Sequence, residues 1–343
     1  MIAELHKKKH RRQGGPTRIL GIESSCDETA AAIVEDGRHL IATSLSSSQQ
    51  IHAQYGGVVP EVAAREHAMA ILPVVESVLR QSSLALDDVD GIAVTQGPGL
   101  LGALLVGVTF AKTLGMALDI PVVGVHHLEA HLYANALEEA LEFPALGLLV
   151  SGGHTSLLLW HDYLHWDVLG ETRDDAAGEA FDKGSRILGA AYPGGPEIER
   201  LARQARHRSL RLPIADLGDT LDFSFSGVKT ATKSLWEIHG DEAEEVAYAL
   251  QQAVVKALVK NLERALDSYP VRHIYLAGGV SANQALRDSV RHLGEKRNIK
   301  IHIPRIEYCT DNAAMVAAIG YHRMREGKFL DIFEGPVATL PLG

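Results

Sequence analysis

The chain has 343 residues, 46% apolar and 22% charged, a balance that excludes disordered and fibrous classes and is too long for one ordinary core, so two lobes are expected. No apolar run reaches the roughly 20 residues of a bilayer span, and Lys7 to Arg12 leads into Gly14-Gly15-Pro16 rather than a signal-peptide core, so the protein reads as cytoplasmic with no membrane role. A formal charge of −10 excludes coating nucleic acid by electrostatics alone, though not a local grip on RNA, and two cysteines, Cys26 and Cys309, cannot build a disulfide framework.

In chain order, residues 1–16 form a basic extension, expected to be disordered and dispensable for catalysis, and ordered structure begins at Thr17. Arg18 to Glu23 and Thr29 to Glu35 read as strands joined by the turn formers Ser24 to Asp27. A helix covers Pro60 to Gln81, with Val62, Ile71, Val75 and Val78 buried, and Pro73 should kink or split it. Gly91 to Thr95 is a strand that runs through Gln96-Gly97-Pro98-Gly99 into an apolar helix, Leu100 to Leu118. Val122 to Val125 is strand-like, and His127-Leu128-Glu129-Ala130-His131 follows it directly. Leu146 to Val150, Ser151-Gly152-Gly153-His154 and Thr155 to Trp160 repeat the opening strand–turn–strand. Ile274 to Leu276 leads through Gly278-Gly279 to a helix from Asn283, and a last helix fits Asn312 to Arg325. Strands alternating with helices, with one motif recurring in each half, indicate an α/β fold with duplicated halves.

Residues four apart share a helix face, so His127 and His131 can offer two imidazoles to one metal. Glu129, two residues after His127, is about 200° around the helix and faces away, unlike the glutamate of the His-Glu-x-x-His proteases. A third ligand must come from elsewhere. Asp311 stands at a helix N-terminus, where spacing alone leaves it either a cap or a ligand. Ser151-Gly152-Gly153 and Gly278-Gly279 let backbone N–H groups approach an anion, but no GxxxxGK[ST] sequence is present. Asp182 could accept from ribose hydroxyls, with Glu179 a turn earlier. Tyr192-Pro193-Gly194-Gly195-Pro196 is a rigid turn, and Asn283 can cap or touch a base.

Several ordered motifs then converge: Gly21 to Thr29, Gly56 to Glu61, Gly97-Pro98-Gly99-Leu100, His127 to His131, Ser151 to Thr155, Asp174 to Lys183, Asp222 to Gly227, Ala277 to Asn283 and Cys309 to Met315. Together they resemble the bacterial TsaD (Gcp, YgjD) family of tRNA adenosine threonylcarbamoyltransferases, once described as O-sialoglycoprotein endopeptidases. The resemblance implies the two-lobed actin/sugar-kinase/heat-shock-chaperone (ASKHA) fold, with duplicated lobes and a nucleotide cleft between them. The domains then run as residues 17–127 for the N-terminal lobe, joined by the helix at about 312–326, 128–311 for the C-terminal lobe, and 327–343 for a tail. The implied reaction moves threonylcarbamoyl from threonylcarbamoyl-AMP to N6 of adenosine 37 in tRNAs reading ANN codons.

By the same resemblance His127, His131 and Asp311 are metal ligands, for iron(II) or alternatively zinc. Leu149, Val150, Ser151, Gly152, Gly153, Asp182, Gly195 and Asn283 hold the adenylate, and Glu23 and Asp27 lie near the reacting group. A paralogous TsaB-type subunit and a TsaE-type ATPase are the implied partners besides tRNA. The competing classes are an ASKHA-fold ATPase or kinase, a chaperone-like scaffold, and a metalloprotease.

Overall fold

A computed structural model describes residues 15–55 and 57–342, so most of the basic extension lies outside the described residues. Two compact units form. One comprises the described residues up to Leu141 together with Thr310–Leu342, and the other Glu142–Cys309.

The first unit builds β1 (Arg18–Glu23), β2 (Glu28–Glu35), β3 (His39–Ser47), α1 (Gln49–Ala53), α2 (Pro60–Ser82), β4 (Gly91–Gly97), α3 (Leu101–Leu118), β5 (Val122–His126) and α4 (His127–Tyr133). Its sheet has the order β3-β2-β1-β4-β5, antiparallel across the first three strands and parallel from β1 through β5. The second unit builds β6 (Ala145–Val150), β7 (Thr155–Asp162), β8 (His165–Glu171), α5 (Ala177–Ile187), α6 (Gly194–Gln204), α7 (Ser226–Ile238), α8 (Ala243–Ser268), β9 (His273–Ala277), α9 (Gln284–Arg297) and β10 (Lys300–His302). Read from its antiparallel edge, its sheet runs β8-β7-β6-β9-β10 with the same directions, so the duplication suggested by the repeated strand–turn–strand is present in both topology and polarity. The chain finally returns to the first unit as α10 (Ala313–Arg325).

The central strands are apolar on both faces because helices cover both, which is why β1, β2, β4 and β6 read as continuous apolar runs. Leu20, Ile22, Ile33, Val75, Val78, Val94 and Val108 close one core of the first unit. Leu148, Phe181, Leu250, Val254, Leu258 and Leu276 lie in that of the second.

Helix α2 runs through Pro73 without interruption, contrary to a split at that residue. A proline at 73 removes the bond to the Met69 carbonyl. Both residues lie on the exposed face, where water can take the freed carbonyl. Helix α3, with 18 residues and mean hydropathy 1.7, is apolar and long enough to meet a membrane-span test on length and composition alone. In this fold Ala103, Leu104, Gly107, Val108, Ala111 and Gly115 are buried, while Leu101, Leu105 and Met116 remain exposed.

Helix α10 brings its first turn to the ends of the central strands. A methyl group on Gly320 would lie 2.3 Å from the Ala93 Cβ, and one on Gly21 2.2 Å from the Ala313 carbonyl. Small residues thus let α10 lie directly on β1 and β4. Met324, near its C-terminal end, meets Gly91 at the start of β4, while Ala313 meets Gly21 towards the end of β1. The helix is therefore antiparallel to these strands, and its N-terminus sits at their carboxyl ends, where open α/β sheets carry ligands.

Candidate metal centre

Three side chains meet at those carboxyl ends. β5 ends at His126 and α4 starts at the next residue, so His127 and His131 share one face of a seven-residue helix. Their rings are edge-on, with centroids 4.8 Å apart and planes at 78°. Asp311 arrives from just before α10. Its Oδ1 lies 3.2 Å from His131 Nε2 and 3.5 Å from His127 Nε2, and one ligand atom from each of the three lies within 4.8 Å of the others. Donors bonded to one ion at about 2.0–2.2 Å stand about 3.0–3.5 Å apart, a range that holds both imidazole–carboxylate spacings, and two imidazoles with one carboxylate are a donor set for a divalent cation.

The ambiguity at the α10 N-terminus resolves one residue downstream. Asn312 is the cap, its Oδ1 accepting the Met315 N–H at 2.9 Å, which leaves the Asp311 carboxylate for the histidines. Glu129 turns the other way, buried with Oε2 3.7 Å from Arg323 Nη1 on α10. Cys309 is buried, its Sγ accepting from the Arg287 guanidinium at 3.1 Å.

Glu23 is fully buried behind His127. Its Oε2 accepts from His127 Nδ1 at 3.0 Å and from Thr95 Oγ1 at 2.7 Å, and its Oε1 accepts the Ser25 N–H at 2.6 Å. With Nδ1 donating to this carboxylate, His127 presents the Nε2 lone pair towards Asp311 and His131, the arrangement by which a carboxylate orients a metal-binding imidazole. Ser25 Oγ lies 3.2 Å from the same Nδ1. Ser25 falls within the Gly21–Thr29 motif, but Thr95 carries no sequence signal of its own. Neither does His67 on α2, whose Nε2 donates to the Cys26 carbonyl and whose Nδ1 accepts from Thr29 Oγ1, bracing the β1–β2 turn. Asp27, in that turn, is partly exposed, and its carbonyl accepts from both Ser48 N–H and Ser48 Oγ.

The charges of the cluster support one another. Burial opposes its charges, yet Asp311 and Glu23 hold His127 well above the usual histidine range. Burial likewise opposes ionisation of Asp311, but His127 and His131 keep it well below the usual carboxylate range. Glu28 has no such partner. Burial, then Asp311, Asp27 and Glu23, push it up to about 7 from an unfolded value near 4.5. A carboxyl raised on folding opposes stability as it ionises, so stability falls from about pH 4.5 to 7 and the penalty is full above that. Glu28→Gln is therefore expected to stabilise the metal-free protein by up to about 2 kcal/mol at pH 8 and little at pH 5. Thermal melts at the two pH values check this, and an equal gain at both would refute it.

In the second unit the turns recognised in the sequence meet one another. Leu149 and Val150 are fully buried in β6, backbone included, and pair with β7, so they shape the turn that follows rather than present a surface of their own. The Ser151–His154 turn closes with Ser151 N–H donating to the His154 carbonyl at 2.8 Å. Gly178 on α5 packs against the Ser151 carbonyl and the Gly152 backbone, and Gly278 against the Val150 carbonyl. Asp182 Oδ1 accepts the Gly194 N–H at 2.7 Å, tying α5 to the first turn of α6, which takes up Gly194, Gly195 and Pro196 where a rigid turn was expected. Burial raises the Asp182 carboxyl against the opposing effect of that bond. Glu179 is spent on the first turn of its own helix, accepting the Ala176 N–H. Asn283 caps α9 by accepting the Leu286 N–H and donates to Gln251, so both ends of its amide are taken inside the unit. Asp174 accepts from Ser224 Oγ, Ser226 Oγ and the Phe225 and Ser226 N–H groups, which joins two of the sequence motifs.

Duplicated five-stranded sheets of this order, with residues for a ligand at strand ends, define the ASKHA class. The solved structures similar to this chain agree on the fold. HypF from T. kodakarensis aligns with TM-score 0.63 at 16% identity, over 91% of this chain and 48% of its own. Component A of Acidaminococcus fermentans (R)-2-hydroxyglutaryl-CoA dehydratase aligns with TM-score 0.55 at 15% identity, over 90% and 99%. Within that class the sequence matches the family model TsaD, tRNA N6-adenosine threonylcarbamoyltransferase, over residues 39–318. The tRNA N6-adenosine threonylcarbamoyltransferase of Carboxydothermus hydrogenoformans is 47% identical across 95% of this chain and 98% of its own length. That of Moorella thermoacetica is 48% identical across 95% and 97%. The chain belongs to the TsaD family.

Proposed function

We propose that this protein transfers threonylcarbamoyl from threonylcarbamoyl-AMP to N6 of adenosine 37 in tRNAs reading ANN codons, with His127, His131 and Asp311 holding a divalent metal, iron(II) first and zinc second. The observation that carries the reading is the convergence of these three donors at ligand spacing in a member of this family. A bound metal would act there as a Lewis acid towards donor oxygens. Two imidazoles and one carboxylate leave open positions for such oxygens. Glu23, buried and hydrogen-bonded to His127, serves by orienting that ligand rather than by touching substrate. Asp27, partly exposed in the adjacent turn, is the carboxylate of this pair with access to the reacting group. AMP is a good leaving group and the exocyclic amine a poor nucleophile, so positioning carries most of the catalytic burden. A protease reading lacks its general base, because Glu129 is buried against Arg323.

The glycine turns of the second unit supply the adenylate site. Gly152, Gly153, Gly195 and Gly279 have no protein atom within 4 Å of where a Cβ would stand. Nothing inside the protein needs these positions bare, which suits backbone approached closely by a phosphate or ribose. Asp182 and Ser151 border the same backbone, Leu149 and Val150 lie buried in the strand that leads into it, and Asn283 acts through the cap of α9. Gly153→Val is expected to raise KM for threonylcarbamoyl-AMP tenfold or more with the melting temperature unchanged. Steady-state kinetics and a thermal melt test this together, and an unaltered KM counts against the site.

Helices α2 and α3 leave Met69, Leu72, Leu101, Leu105 and Met116 exposed, a surface suited to the paralogous TsaB-type subunit, with a TsaE-type ATPase as the further partner. Leu105→Glu is expected to abolish co-elution with that subunit while metal content stays the same, and persistent co-elution would place the contact elsewhere. The function as a whole is tested by incubating the protein and partners with threonylcarbamoyl-AMP and unmodified tRNA, with and without chelator. N6-threonylcarbamoyladenosine should form only in the metal-replete reaction, and its absence from the complete system overturns the proposal.

A further inference from the structure

The last seventeen residues have no helix or strand among those described, yet they are hydrogen-bonded along β4 and β5, from the start of β5 at Val122 to its end at His126, where α4 and its ligands begin. Leu330 N–H donates to the Val122 carbonyl of β5 and Val337 N–H to the Gln96 carbonyl of β4, each at 2.8 Å. Gln96 Nε2 donates to the Gly335 carbonyl at 3.0 Å, and Lys112 Nζ reaches the Ile332 carbonyl at 3.1 Å. Gly97 is bare where this segment crosses it, since a Cβ there would lie 2.0 Å from the Val337 carbonyl. The contact is therefore built into both partners.

Two routes run from this segment to the imidazoles. The first passes through His126, last residue of β5 and cap of α4. Its Nδ1 accepts the Leu128 N–H at 3.2 Å, so its proton resides on Nε2, which donates to the Leu340 and Pro341 carbonyls at 3.1 Å each. The second passes through Gly99, whose N–H donates to the Ala338 carbonyl at 3.1 Å and whose backbone packs on Ser25, the residue hydrogen-bonded to His127 Nδ1. Helix α4 has only seven residues and takes its orientation from its anchors, which are its buried packing on α10 and, at its N-terminal cap, the strap.

We propose that Val337–Pro341 form a strap that fixes the orientation of α4, with His126 as the positioning residue that transmits it, so that metal affinity depends on the chain's C-terminal end. This inference rests on the metal reading of His127, His131 and Asp311. The test is titration of the metal-free protein with Co²⁺, followed by its visible absorption, for the full chain, a chain ending at Gly335, and His126→Asn. Asparagine is a favoured helix cap but is too short to reach the strap carbonyls, so it separates capping from strapping. Both variants should bind Co²⁺ about 10–100-fold more weakly, the scale on which supports of metal ligands act, with an altered spectrum and little change in melting temperature. Combining them should be no worse than truncation alone. Affinity within twofold of the full chain in either variant overturns the strap, and His126→Asn decides the matter if the truncated chain does not fold. Absence of Co²⁺ binding by the full chain would instead overturn the metal reading, and the strap with it.

Discussion

Asp311→Asn is expected to lower threonylcarbamoyl transfer by about 10³-fold or more and to strip the purified protein of metal, whereas Asn312→Ala, one residue on, should do neither. The contrast arises from the different groups that the two side chains touch. The Asp311 carboxylate lies 3.2 and 3.5 Å from the two imidazole nitrogens and is the site's one anionic donor. An amide of the same shape keeps the volume and loses the charge that binds a cation. Asn312 instead holds the Met315 N–H, and losing a helix cap costs about 1 kcal/mol of stability. Metal content, the transfer assay and a thermal melt on both variants separate ligand from cap. Asp311→Asn retaining metal and a rate within tenfold of the parent would remove Asp311 from the centre.

Gly21→Ala should be among the most damaging single methyls in the first unit. The new Cβ would stand 2.2 Å from the Ala313 carbonyl oxygen and 2.8 Å from the Ala317 nitrogen, both backbone atoms that no rotamer change can move. Either β1 or α10 must shift, and Asp311 is two residues before Ala313, so the strain arrives at the metal site. A stability loss of about 3 kcal/mol or more, seen as a melting temperature lower by roughly 5 °C or more, and reduced metal affinity are expected together. Gly152→Ala is the matched control, because nothing lies within 4 Å of its added methyl and the melting temperature should hold. Equal melting temperatures for the two variants would show that the contact relaxes at no expense.

How far the sequence reveals this arrangement depends on what each element buries. β1, β2, β4, β5, β6 and β7 are legible because their apolar runs end at glycine and serine turns. β3 and β8 escape notice because they are sheet edges that stay largely exposed, unlike the edge strand β5, which is buried throughout. Ile41 and Leu45 of β3 are exposed, and β8 carries His165, Asp167 and Glu171 among its seven residues, so no apolar alternation marks either strand. His127 and His131 are visible as a pair because helical spacing is local. Asp311 lies far along the chain, and only the resemblance links it to them. The choice between cap and ligand needed Asn312 to be seen in place, since adjacent Asp and Asn are equally good caps on paper. The burial of Glu23 is also invisible in a motif, because Thr95 reaches it from β4 and His127 from the start of α4. Pro73 illustrates the reverse case, in which a local rule yields to the solvent exposure of the carbonyl it frees.

The junction between β5 and α4 has no linking residue: the strand's last position, His126, is also the helix cap, and the ligand comes next. One inserted residue there would turn both imidazoles by about 100° around the helix axis, towards the side now occupied by Glu129 and Arg323. Leu128 and Ala130 could change in kind without moving the ligands, but a change of length could not be absorbed. Divergence among such chains should therefore show insertions in the loops that leave α2 and β7, and a fixed count of residues from Val122 to His131.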